Sequence, residues 1–118
     1  NGSIEDLAVA AEIMKDKHVP DTMRFIVVPA TNRVFKEAIK RGYIKTFIEA
    51  GAVICHPCCG LCCGMPYGLM YDDERILSTA NRNFIGRQGT KKTLSYLCSP
   101  AVAAATALAG VVSDPRTL

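Results

Sequence analysis

The sequence predicts an α/β protein built on a mostly parallel sheet of about four strands. Two observations carry this. Helical and extended segments alternate along the chain. The extended segments are also short, continuous apolar runs rather than alternating ones, as parallel strands are when both faces are covered. Residues 1–118 are read as a single domain.

The elements follow in order. Ser3 stands three residues before Asp6, a box-like start signal for a helix. Leu7, Ala10, Ala11 and Met14 then recur at helical spacing, and Val19-Pro20 sets the limit. Residues 24–28 (RFIVV), closed by Pro29, read as a buried strand. From Thr31, the residues Val34, Phe35, Ala38 and Ile39 share one helical face, and Gly42 caps it. A short helix over residues 44–50 stops at Gly51. Residues 52–55 (AVIC) form the next strand. Residues 76–79 and 94–98 are the third and fourth candidates. Ser99-Pro100 is a helix start, with a cap residue followed by proline in the first turn. The helix over residues 101–109 is almost all small and apolar, so it should be packed on both sides; Gly110 ends it.

Composition excludes several classes. At 49% hydrophobic and 21% charged, the chain is an ordinary globular one. Fourteen Lys+Arg against eleven Asp+Glu leave +3, too slight a bias to argue for nucleic acid or a membrane surface. Trp is absent and aromatics are 7%, which argues against a base-stacking platform. No apolar run reaches the roughly 20 residues of a spanning helix. The first residues lack the basic and apolar regions of a secretion signal. A cytoplasmic protein is expected.

Six cysteines do not fit an ordinary composition. Cys55, Cys58, Cys59, Cys62 and Cys63 crowd one loop, and Cys98 stands apart. A disulfide framework spreads its cysteines to staple distant loops, so metal or cluster binding in a reducing compartment is the better reading. Cys55 with Cys58, and Cys59 with Cys62, form two Cys-x-x-Cys pairs. Each can turn two sulfurs toward one metal or cluster, and Gly60 and Gly64 let the backbone turn closely. A four-cysteine zinc site normally separates its two pairs, and here they abut. Cys98 reads as a small buried hydrophobe. The loop lies just past the carboxyl end of a strand, the edge where open α/β sheets place ligand sites.

Residues 78–89 are the second signal. Two arginines, three amide side chains and two glycines share this segment. Arginine forks grip carboxylates bidentately, and amides fix orientation, so the loop suits a small multi-anionic substrate. A solvated turn with a surface ion pair is the other reading.

These motifs carry a resemblance. Pro57-x-Cys59-Gly60-x-Cys62-x-Gly64, the run Leu77-Ser78-Thr79-x-Asn81-Arg82-Asn83-Phe84-x-Gly86-Arg87-Gln88-Gly89, and Ser99-Pro100-Ala101-x-Ala103-Ala104 resemble the aconitase family. The start, Asn1-Gly2-x-x-Glu5-Asp6-Leu7, resembles the family stretch that follows a Cys-Thr pair. The likeness runs to about Asp114 and is nearest to the branch acting on 3-isopropylmalate and homoaconitate. It implies a three-layer α/β/α domain, the third of a longer large subunit. It implies a 4Fe–4S cluster held by three cysteines. Two correspond to Cys59 and Cys62, and the third is expected just upstream of Asn1. The implied reaction dehydrates and rehydrates a 2-hydroxy di- or tricarboxylate, foremost 3-isopropylmalate in leucine biosynthesis. The resemblance places Asn81, Arg82 and Arg87 near cluster and substrate, with Asn81 orienting groups and the arginines holding carboxylates and supporting the base region. The partners it implies are the remaining large-subunit domains and a separate small subunit carrying the catalytic serine. The chain alone is then expected to be inactive. Cys58, Leu61 and Cys63 depart from the family, which more often has a small residue, proline and leucine there. His56 reads as loop structure. The competing reading is a stand-alone cysteine-rich metal-binding or redox module.

Overall fold

The computed structural model describes residues 1–60 and 69–118. They fall into two compact units, Asn1–Cys58 with Pro100–Leu118, and Cys59–Ser99.

In the first unit, helix α1 spans Ile4–Met14. Its start is a closed capping box. Ser3 Oγ accepts from the Asp6 amide at 3.2 Å, and the Ser3 amide donates to Asp6 Oδ2 at 3.1 Å. Two backbone donors that a helix start leaves without partners are thereby satisfied. Leu7, Ala10, Ala11 and Met14, the face read from the sequence, are all buried. Helices α2 (Asn32–Lys40) and α3 (Tyr43–Glu49) lie between strands β1 (Ile26–Val27) and β2 (Val53–Ile54). Thr31 Oγ1 caps α2 by accepting from the Val34 amide at 3.2 Å. The two helices supply the crossover that a parallel pair requires. β1 and β2 pair parallel, with Ile26 opposite Val53 and Val27 opposite Ile54. The ladder extends past each end: the Val53 amide donates to Phe25 O at 2.8 Å, and the Cys55 amide to Val27 O at 2.9 Å.

The last helix, α4 (Pro100–Ala109), starts and ends where the sequence places it and packs chiefly on α1. Ala104 and Ala105 have no exposed surface. Alanines of this kind let two helices approach closely while keeping the highest helix propensity. Phe47 of α3 is fully buried at the centre of the core, edge-on to Phe25 with ring centroids 6.3 Å apart.

In the second unit, β3 (Arg75–Ser78) and β4 (Leu94–Leu97) pair parallel, with Ile76 opposite Ser95 and Leu77 opposite Tyr96. The expected mixture of helices and parallel strands is present. Among the described residues the strands form two two-stranded sheets, one in each unit, where one sheet of about four strands was expected. In β4, Ser95 is half-buried, whereas Leu94, Tyr96 and Leu97 are exposed.

Phe47→Ala should cost the folded chain about 3–5 kcal/mol, since the truncation leaves a cavity in a closed core. Ile48→Ala, next in sequence but 60% exposed, should cost under about 1 kcal/mol. Denaturant unfolding of the two variants checks this; equal losses would show that α3 faces the core differently.

Candidate functional site

Strand β2 ends at Ile54, and the cysteine loop begins directly after it. The bond from the Cys55 amide to Val27 O carries strand pairing one residue further, and Cys55 is 3% exposed. Its burial fits a small core side chain. His56 then turns outward, and its ring meets Phe35 of α2 edge-on at 5.7 Å. The reading of His56 as loop structure agrees with that contact. Cys58 and Cys59 are exposed. Gly60 follows with φ of +58°, in the left-handed region where a side chain is strained. The turn demanded of that glycine is therefore present. Cys62 lies outside the described residues, as do Cys63 and Gly64.

The polar segment lies between β3 and β4, in the same compact unit as Cys59. Its start is fixed by the Ala80 amide donating to Ser78 Oγ at 3.1 Å. Asn81 and Arg82 are exposed, and Arg87 is half-buried. The two arginines are linked, with Arg87 Nη1 donating to the Arg82 carbonyl at 2.7 Å. The Arg87 guanidinium also lies over the Phe84 ring, 5.2 Å from its centroid, a cation–π arrangement. A turn brings the Arg87 amide to Phe84 O at 3.2 Å. The loop is solvated along residues 81–86, yet it is internally braced rather than a loose turn.

The contacts that hold Gln88 and Ser95 were not foreseen from the sequence. Gln88 is 4% exposed, a rare burial for its type. Its Oε1 accepts from Ser95 Oγ on β4 at 2.6 Å. The Ser95 carbonyl in turn accepts from Asn83 Nδ2 at 2.8 Å. The Gln88 carbonyl accepts from the Met70 amide at 2.8 Å. Gly89 approaches Met70 so closely that a Cβ there would collide with the Met70 carbonyl. The one sequence signal was Ser95 itself, a polar residue inside an apolar strand. Cys98 is half-buried, and burial raises its thiol pKa above the ordinary value.

The donor set is a partial one for a cluster. Among the described residues no group of three or more His, Cys, Asp or Glu side chains comes together as a metal site. Cys59 contributes one exposed thiol of the kind a cluster takes.

Residues 1–110 match the model of the aconitase family (aconitate hydratase). The chain is 52% identical to the 3-isopropylmalate dehydratase large subunit of a Nitratiruptor species. It is 50% identical to 3-isopropylmalate dehydratase large subunit 1 of Archaeoglobus fulgidus and 52% identical to the large subunit of Clostridioides difficile. Each match covers the whole chain and 28% of the relative. The chain thus spans about a quarter of the length of the relatives it matches.

In the reduced chain, a thiol reagent followed by peptide mass spectrometry should label Cys58 and Cys59 before Cys55 and Cys98. Burial shields Cys55, and the raised pKa of Cys98 keeps it protonated at pH values where an ordinary thiol already reacts. Raising the pH should therefore bring Cys98 in late. Labelling of Cys55 as fast as Cys58 would contradict the strand ending described above.

Proposed function

The chain belongs to the aconitase family, and we propose that it is the cluster-bearing part of the large subunit of a 3-isopropylmalate dehydratase. The proposal takes residues 1–118 as one α/β domain of that subunit, three-layered in the complete protein. The reaction is removal of water from a 2-hydroxy dicarboxylate and its return with the hydroxyl on the adjacent carbon, a step of leucine biosynthesis. The names of the relatives support the substrate and the separate small subunit that would bring a catalytic serine. Among the described residues no helix is long and apolar enough to cross a membrane. The proposal places the enzyme in the cytoplasm.

The observation that carries the reading is the braced segment with two arginines, in one compact unit with Cys59. A substrate with two carboxylates needs two cationic grips at fixed separation, and planar guanidinium forks are suited to each. Arg82 presents an exposed side chain, and its own carbonyl anchors Arg87. A guanidinium has five N–H donors, so that one bond is compatible with further bonds to a carboxylate. Stacking on Phe84 limits the directions Arg87 can take, which lowers the entropy lost on binding. Asn81 at the start of the segment orients groups on the substrate or cluster side. Cys59 and Cys62 are assigned as two cluster ligands, the third coming from elsewhere in the parent protein. When bound, a 4Fe–4S cluster supplies an iron without a cysteine ligand that acts as a Lewis acid.

The test belongs in the complete two-subunit enzyme. Cys59→Ser should abolish turnover and the visible absorbance of the cluster, whereas Cys58→Ser should keep both. Retained turnover and colour in Cys59→Ser would sink the ligand assignment. The isolated chain, incubated with iron, sulfide and reductant, should not yield a stoichiometric four-iron cluster by iron analysis and electron paramagnetic resonance. A stable one would favour a self-sufficient module instead.

A further inference from the structure

We propose that Gln88 and Ser95 are positioning residues for the arginine-bearing segment, acting through a single side-chain hydrogen bond; this rests on the reading of Arg87 as a carboxylate grip. Gln88 directly follows Arg87, so whatever fixes Gln88 fixes the Arg87 backbone. Its side chain is 4% exposed and meets Ser95 Oγ at 2.6 Å, a short bond for two neutral groups. Ser95 is the half-buried residue of β4, in register with Ile76 of β3. The bond therefore ties the segment to a paired strand rather than to another loop. A second tie, Asn83 Nδ2 to the Ser95 carbonyl, fastens the near end of the same segment to the same residue. Ser95 thus holds the segment on both sides of the 84–87 turn, once through its backbone and once through its hydroxyl.

The consequence is specific. Removing the hydroxyl leaves the Asn83 tie intact, since that bond uses the Ser95 main chain. The Gln88 side chain is released, while its carbonyl keeps the bond from the Met70 amide. Arg87 then loses one of the ties that fix its position and keeps those to the Phe84 and Arg82 carbonyls, whereas Arg82, nearer the Asn83 tie, is less affected. A carboxylate grip that acts equally on bound substrate and transition state affects KM more than kcat. An ångström of misplacement is enough to weaken such a grip markedly.

The experiment uses steady-state kinetics of the complete two-subunit enzyme with 3-isopropylmalate, on Ser95→Ala, Ser95→Thr, Gln88→Met, the double variant Gln88→Met with Ser95→Ala, and Arg87→Lys. Ser95→Ala and Gln88→Met should each raise KM about tenfold with a smaller change in kcat. The double variant should be no worse than either single one, because both remove the same bond. Ser95→Thr, which keeps a hydroxyl, should recover most of the loss. Arg87→Lys should itself raise KM, since a lysine cannot reproduce the fork. If Arg87→Lys is impaired but both Ser95→Ala and Gln88→Met keep the wild-type KM, the positioning role is overturned. Additive losses in the double variant, or failure of Ser95→Thr to recover, overturn it also. If Arg87→Lys is indistinguishable from wild type, the underlying reading of Arg87 fails instead. Because Gln88 is buried, Gln88→Met can lose stability; Ser95→Ala, at a half-buried site with its main-chain bond kept, carries the test in that case.

Discussion

The parallel pairing of β1 with β2 is the constraint on which the first unit depends. Each strand is only two residues long, and a two-stranded pair of that length has little stability of its own. It persists because α2 and α3 form the crossover and the core beneath them is closed around Phe47. The same core includes the alanine contact of α1 with α4. The pairing also decides where the chain leaves the sheet. The bond from the Cys55 amide to Val27 O is the last of this strand pairing among the described residues, and the cysteine loop begins there. The N-terminal segment reaches the same carboxyl edge of β1, where the Ala30 amide donates to Gly2 O at 2.8 Å. The strand pair thus brings the start of the chain and the start of the cysteine loop to one edge.

In the second unit, polar bonds are prominent among the described residues. β3 and β4 pair over four residues each, yet most of the apolar side chains of β4 face outward. What holds the segment between them is a set of hydrogen bonds centred on Ser95 and Gln88, with the Met70 backbone closing the far side. Buried polar groups are costly unless satisfied, and a satisfied set specifies one geometry strongly. Under the proposed role of Arg82 and Arg87 as carboxylate grips, such a set would keep the two guanidinium groups at a fixed separation.

Much of the first unit was legible in the sequence. The capping box at Ser3, the buried face of α1 and the limits of α4 depend on local signals: a side chain that reaches the next turn, a helical period, a proline and a glycine. Strand positions were also legible, but their lengths and grouping were not. Continuous apolar runs show burial; they do not show which strand pairs with which, and so the two pairs read as one sheet. The arginine segment announced itself by composition. Its bracing did not, because the burial of Gln88 and the inward turn of Ser95 are set by residues 7 apart in sequence meeting across a strand. Leu94, Tyr96 and Leu97 are exposed although the run is apolar, so apolar composition alone did not report the burial of this strand.

The roles given to Cys59 and the arginines meet their most direct measurement in a crystal structure of the complete two-subunit enzyme with a substrate bound. Cys59 Sγ should be bonded to iron, and the guanidinium groups of Arg82 and Arg87 should lie within about 2.7–3.2 Å of substrate carboxylate oxygens. Iron bonded to Cys58 in place of Cys59, or substrate carboxylates held with neither arginine in reach, would contradict it.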